Sequence, residues 1–382
     1  MQTLMHKNNA DFLAYVTLGE DPPRAKINLA ISDETYQKLK KIIDSNIEKP
    51  FVDTGTLSEY EETRLKLNAI IRTVGRALNK RDDISRIKTP QELADEILNY
   101  YENRSSARVD SVCVDISLLT SEIIKRYFEN LKKDTSILIF HLVDKNGLEY
   151  VHGHASAAIL VGGWLVDPAL QGEALDLGRI VPDREANGYK QFYAKLKENY
   201  SSVPGNPIFS NCVFVEFSQA KTDSELEAFY LLENAVRMTA PTNGTPEEID
   251  AFYLQRDAAF IGAYKVSPGD YYAAIRAGDA YKHAGDIESA RRAYLSAAAN
   301  NPNLYLANAL AALGLSNLQS PSSENDLLIA NHLIHTAIGR AKKEELAPAY
   351  AYLYLFEIAR KLGDEKEAEE AKALFDKLIK GQ

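Results

Sequence analysis

Between Pro268 and Leu304 the chain reads PGDYYAAIRAGDAYKHAGDIESARRAYLSAAANNPNL, with small and aromatic residues at set offsets and no strand signal. Small residues let two antiparallel helices approach, and aromatic residues fill the space between them. Gly278, Ala290 and Ala297 supply the first kind, Tyr281 and Tyr294 the second, and Gly285-Asp286 makes the turn. One such pair buries too little surface to stand alone, so neighbouring helix pairs are expected.

Position by position, Gly278, Tyr281, Gly285, Asp286, Ala290, Tyr294, Ala297 and Pro302 resemble the tetratricopeptide repeat. LGDEKEAEEAKALF, from Leu362 to Phe375, echoes the Gly-Asp turn and carries Ala368, but is otherwise degenerate. SPSSEND, Ser320 to Asp326, interrupts the period. The resemblance implies an all-α helical-repeat domain over residues 223–382, one good repeat with two decayed ones. It also implies a groove that docks a protein partner or the substrate.

The chain before this tail has a different pattern. SDETYQKLKKIIDS, from Ser32, has a Ser cap and apolar residues at helical spacing. SEYEETRLKLNAIIRTVGRALNK, from Ser58, is a second amphipathic helix, and TPQELADEILNYYEN, from Thr89, opens with Thr-Pro as a third. CVDISLLTSEIIKRYFENL has helical spacing from Cys113 through Leu131. SILIFHLVD, LEYVHGHASAAILV, WLVD and NPIFSNCVFVEF then read as strands, with turns at Lys145–Gly147 and Gly162-Gly163. Helices over 32–103, a helix from 113 and an antiparallel sheet over 136–217 give an α+β domain spanning 1–222.

With 382 residues, two domains are expected, each large enough for its own core. The net charge of -10, with no long Lys/Arg block, disfavours nucleic acid and an anionic membrane as partners. No apolar run reaches the ~18 residues of a membrane helix. Two cysteines imply no disulfide framework. The first residues show no secretory leader, which points to the cytoplasm or to export without a cleaved signal. There is no Gly-rich phosphate loop, dinucleotide fingerprint or HExxH, so neither cofactor nor metal is expected.

A cysteine at a helix N-terminus meets amide N–H groups and the positive end of the helix dipole, which favour thiolate and can hold an oxyanion. Cys113 has that position; Asp115 in the same turn opposes a low thiol pKa. The plain alternative is a small buried hydrophobe. A thiolate nucleophile needs an imidazole, and the imidazole needs a group to fix its tautomer. HGHASAAILVGGWLVDPAL, from His152 to Leu170, supplies two histidines and Asp167 on one hairpin.

Cys113 with Asp115 on a helix, GHASAAIL on a strand and GGWLVDPA on the next are similar to the transglutaminase-like superfamily of papain-type thiol enzymes. The resemblance covers roughly residues 105–170. It implies a papain-like helical lobe facing an antiparallel sheet, with Cys113 as nucleophile, His154 as acid/base and Asp167 orienting the imidazole. It implies thioester chemistry on a peptide or protein amide: protease, amidase, deamidase or transglutaminase type. Where the family has a Gly two before the Cys, this chain has Ser111; where an aromatic often stands two after the His, it has Ser156. Those departures sustain the alternative of a catalytically inactive protein-interaction module.

His152 and His154 share a strand face, so parity cannot choose between them. A two-residue turn at Gly162-Gly163 sets Asp167 opposite Ala158, leaving His154 roughly 13 Å along the strand and His152 about 20 Å. His154 is therefore expected as the triad histidine, with a bulge or a turn shifted to Val161-Gly162 setting Asp167 opposite Ser156. His152, Trp164, Asp115 and Ser156 are expected at the cleft. His332 and His335 read as surface or groove histidines; Cys212 and His141 read as core. The terminal DEKEAEEAKALFDKLIKGQ resembles the Glu-rich export signals of bacterial type IV secretion effectors, or is the solvated face of a capping helix.

Overall fold

The computed structural model describes residues 27–47, 58–80, 87–103, 108–144, 157–167, 174–176, 212–318, 323–343 and 348–380. They form a mostly helical chain with a small antiparallel sheet and a C-terminal helical region, an α+β arrangement. Two compact units carry it: Asn28–Leu142 with the described part of Tyr150–Leu226, and Glu227–Gln382.

The first unit starts with three capped helices. In α1 (Asp33–Ser45) the Ser32 hydroxyl accepts from the Thr35 amide at 3.1 Å. Reciprocal capping boxes open α2 (Glu59–Ala77) through Ser58 and Glu61, and α3 (Pro90–Glu102) through Thr89 and Glu92. Pro90 fills the first turn of α3, where a missing N–H does no harm.

Two short strands then fix where the next helix begins. β1 (Leu78–Lys80) runs parallel to β2 (Val109–Ser111), with Lys80 opposite Ser111. Val112 follows as the N-cap, and α4 spans Cys113–Tyr127. The helical spacing predicted from Cys113 through Leu131 is cut short, because Phe128 leaves the helical conformation (φ -119°, ψ 84°). A 3-10 turn, Glu129–Asp134, continues the chain and keeps Leu131 against the core.

The sheet has the order β6-β5-β4-β3-β7, from β3 (Thr135–Asp144), β4 (Ala157–Val161), β5 (Trp164–Val166), β6 (Leu175–Asp176) and β7 (Cys212–Ala220). β3 to β6 pair antiparallel in succession. Ile159 and Val161 of β4, with Trp164 and Val166 of β5, join Ile116, Leu119, Ile123 and Ile124 of α4 in one apolar cluster that also takes in α1, α2 and α3. Alternation explains the choice: Ile159 pairs with Val166 and Val161 with Trp164, so all four lie on one face.

α5 (Asp223–Arg237) and α6 (Pro246–Val266) precede six helices in three hairpins: α7 (Tyr271–His283) with α8 (Ile287–Asn300), α9 (Tyr305–Ser316) with α10 (Glu324–Lys343), and α11 (Ala349–Leu362) with α12 (Glu365–Lys380). α7 and α9 begin at residues 271 and 305, a step of 34.

The first and last hairpins share one turn chemistry. Gly285 and Gly363 take positive φ (80° and 79°), and the following Asp286 and Asp364 accept the amides of Ser289 and Glu367. Tyr294 of α8 is wholly buried between glycines of two other helices. A Cβ on Gly278 of α7 would lie 2.5 Å from its Cε1, and one on Gly314 of α9 would lie 2.6 Å from its Cδ1. The Tyr294 hydroxyl donates to Asp279 at 2.7 Å. Arg291 of α8 makes two 2.7 Å bonds to buried Asp326 in the first turn of α10. α12 buries Ala368 and Ala371, sets Phe375 edge-on to Tyr350, and turns Glu365, Lys366, Glu369, Glu370 and Asp376 outward.

Candidate active site

The β1–β2 pair delivers Cys113 to the first position of α4, where it is 2% exposed and carries a thiol rather than a disulfide. The helix ladder starts with the Ile116 amide on the Val112 carbonyl, so the amides of residues 113–115 have no acceptor within the helix. Their partial positive charge lies beside the thiol. Cys113 falls on the same helical stripe as Ile116 and Ile124, which join the apolar cluster that includes β4.

Asp115 completes the helix start. Its Oδ1 accepts from the Val112 amide at 2.9 Å, the N3-to-N-cap half of a capping box whose other half the apolar Val112 side chain cannot supply. The residue has no exposed surface, and among the described residues Oδ2 has no hydrogen-bond partner. Burial pushes its carboxyl up to about 7; the backbone amides of Val112, Ile116 and Lys88 and the Lys88 ammonium pull the other way and lose. Ser111, Thr120, Ser121 and Ser136 are also buried, each with a hydroxyl lacking a partner among the described residues. Sequence reading singled out Ser111 and Asp115, but not Thr120, Ser121 or Ser136. A hydroxyl in a helix pattern carries no sign of burial, so no sequence signal marked them.

On the sheet side, Trp164 is 5% exposed and packs its ring 4.8 Å from that of Tyr60. Asp167, 8% exposed, follows the last residue of β5 directly. The shifted turn expected from sequence does not occur. Gly162 and Gly163 are the two turn residues (φ 50° and 88°), Val161 faces Trp164, and Ile159 faces Val166. Two consecutive positive φ values suit the right-handed strand twist, and a pair of glycines adopts them without strain. A turn at Val161-Gly162 would have forced positive φ onto a β-branched residue. Continuing the observed register sets Asp167 opposite Ala158, not Ser156.

Cys113, Asp115, Trp164 and Asp167 lie in the same compact unit, and Asp167 ends the hairpin that α4 packs against, whose Trp164 shares a core cluster with Ile116, Leu119, Ile123 and Ile124 of α4. His152, His154 and Ser156 lie outside the described residues, as do the side chains of His141 and Cys212. In the other unit, His335 bonds Glu367 at 2.8 Å and ties α10 to α12, and His332 is exposed. A cavity of about 250 Å³ opens between α7 and α9, lined by Ile275, Arg276, Lys282, Leu310, Leu313 and Asn317 among others. No helix of the described residues is long and apolar enough to cross a membrane. Compared with known proteins, the chain matches no family model, no curated protein and no solved structure.

Proposed function

We propose that this chain is a thiol enzyme of the transglutaminase-like type, acting on a peptide or protein amide. Cys113 attacks the amide carbonyl, His154 hands a proton to the departing amine, and Asp167 orients the imidazole. The amides at the start of α4 receive the oxyanion. A thioester remains; water resolves it by hydrolysis or deamidation, an amine by transamidation. The observation that carries this is Cys113 at the start of a buried helix packed on the Gly-Gly-Trp hairpin, with Asp167 closing that hairpin.

The helical unit is a tetratricopeptide-like repeat domain. Its 34-residue step, its repeated Gly-Asp turns and the glycines around Tyr294 support this assignment. The groove between α7 and α9 docks a protein partner or the substrate.

The unshifted turn adds a geometric demand. His154 is four residues from Ala158, roughly 13 Å in a regular strand. For His154 to reach Asp167, the chain before Ala157 must depart from regular strand, as a bulge does. The competing role is a catalytically silent binding module, favoured by the 2% exposure of Cys113 and by the same register. Iodoacetamide distinguishes the two. Cys113 of an enzyme alkylates well below pH 8, and Cys113→Ser removes the adduct. A silent module shows no acceleration over an ordinary thiol.

A further inference from the structure

The groove between α7 and α9 is lined by one stripe of each helix. On α7, Arg276, Asp279 and Lys282 follow one another at helical spacing; on α9, Leu310 and Leu313 do so, with Asn317 at the C-cap. The 34-residue step gives Arg276 and Leu310 equivalent positions in successive hairpins, then Asp279 and Leu313, while Lys282 and Asn317 stand at the C-terminal ends of the two helices. From Arg276 to Lys282 the groove runs roughly 9 Å at 1.5 Å per residue. That is about three residues of extended chain at ~3.3 Å each.

The polar groups of this lining are set by neighbours that do not line it. Lys361 of α11 donates to Asn317 Oδ1 at 2.8 Å and to the Ser316 carbonyl at 2.7 Å. That fixes the orientation of the Asn317 amide. Its Nδ2, which has no acceptor among the described residues, is left as a donor. The same ammonium offsets the negative end of α9. Arg276 lies along Tyr272, donating to its hydroxyl at 2.6 Å with the guanidinium carbon 4.8 Å from the ring centre. The one carboxylate in the lining, Asp279, accepts the Tyr294 hydroxyl at 2.7 Å, and Lys282 stands 3.8 Å from it. Positive charge therefore dominates, from Arg276, Lys282 and, behind Asn317, Lys361.

We propose that this groove binds an acidic segment of a partner protein, in which one apolar side chain is flanked on each side by a carboxylate. This rests on the docking role of the groove and names the chemistry it selects. The apolar side chain packs on Ile275, Leu310 and Leu313. One carboxylate meets Arg276; the other meets Lys282 and the Asn317 amide. Asp279, between the two cations on the α7 stripe, keeps an acid out of the middle position. A cationic segment would face three cations, and an apolar helix needs a longer apolar stripe than these three side chains supply. The volume of about 250 Å³ is below the roughly 300–1,000 Å³ that holds a drug-sized ligand, and suits one side chain with its flanks. The whole chain carries a net charge of -10, so the attraction is local to the groove and screened by salt.

The test is titration of the full chain, labelled with nitrogen-15, with acetyl-Glu-Leu-Glu-amide and with its neutral counterpart acetyl-Gln-Leu-Gln-amide. Both are blocked at each end, so no terminal charge contributes. The acidic peptide should give saturable shifts of the Gly314 backbone amide and the Asn317 side-chain amide. The neutral peptide should bind roughly tenfold more weakly. Lys282→Met removes a cation whose listed pairing is only the loose one to Asp279, and should weaken the acidic peptide about threefold without changing the neutral one. Asn317→Asp keeps an oxygen for Lys361 but replaces the donor with a carboxylate oxygen, and should abolish saturation by the acidic peptide while thermal unfolding shows the fold intact.

The outcomes separate the two levels. If the neutral peptide saturates the same amides as tightly as the acidic one, or Lys282→Met binds both as wild type does, the groove docks peptides but the selection for acid is overturned. If neither peptide shifts these amides, the proposal and the docking role fall together. Shifts of the same amides with protein concentration alone would make a second copy of the chain the occupant, and would overturn the proposal as well.

Discussion

Adding one methyl group at Gly278 or Gly314 should destabilise the helical unit, although glycine to alanine in a helix normally stabilises. Relief of backbone entropy alone favours alanine by about 1 kcal/mol. Here a Cβ at position 278 would stand 2.5 Å from Tyr294 Cε1, well inside van der Waals contact. The ring cannot retreat, because Gly314 presses the same atoms from a different helix and the hydroxyl is anchored on Asp279. Overpacking of this kind costs about 1–3 kcal/mol, and a clamped ring belongs at the upper end. The net expectation is a loss of about 2 kcal/mol for Gly278→Ala, or roughly 4–8 °C in Tm for a unit of this size. Gly339 is the control: it lies inside α10 with nothing within 4 Å of a built Cβ, so Gly339→Ala should gain about 1 kcal/mol. Thermal unfolding by far-UV circular dichroism reads both. Combining Gly278→Ala with Tyr294→Leu should cost less than the sum of the separate changes. If Gly278→Ala raises Tm as Gly339→Ala does, the clamp around Tyr294 is not a packing constraint.

Three further perturbations test other parts of the structure. Asp115 has its folded carboxyl raised to about 7 from 3.8, so its contribution is full below the lower value and is lost as pH rises through the upper one. Asp115→Asn should therefore gain on wild type by up to about 4 kcal/mol between acid and mildly alkaline pH, measured by urea unfolding across pH. Arg291→Ala strands the buried Asp326 carboxylate and should cost about 3 kcal/mol in the same assay. Burial alone would raise the Asp326 carboxyl, but bonds from Arg291 and Ser323 hold it below its ordinary value; the stability they confer is lost as pH falls through that range. Ser58→Ala removes half of a capping box and should cost about 1 kcal/mol, a shift in urea midpoint without a change in slope.

Helix starts were the most legible part of the fold, because a cap is local chemistry: Ser32, Ser58 and Thr89 open α1, α2 and α3 as their side chains dictate. The end of α4 was not legible. The apolar spacing runs on to Leu131, yet the backbone leaves the helix at Phe128 and Leu131 reaches the core from a 3-10 turn. Gly278 was singled out from the sequence while Gly314 was not, since Gly314 sits in an Ala/Leu run and acquires its role only when α9 packs against Tyr294. At the candidate site, Cys113 at a helix start was readable from spacing. The Gly162-Gly163 turn is readable from the sequence, whereas the alternative of a turn shifted to Val161-Gly162 neglects the φ preference of the two glycines. The raised carboxyl pKa of Asp115 is not readable from the sequence, because it comes from burial in the folded chain.

The most direct measurement is the alkylation rate of Cys113 by iodoacetamide as a function of pH, with the adduct located by peptide mass and Cys113→Ser as the blank. A nucleophile at the start of α4 should react well below pH 8, faster than a free thiol and faster than Cys212. A Cys113 that reacts no faster than a free thiol at every pH contradicts the assignment of this chain as a thiol enzyme.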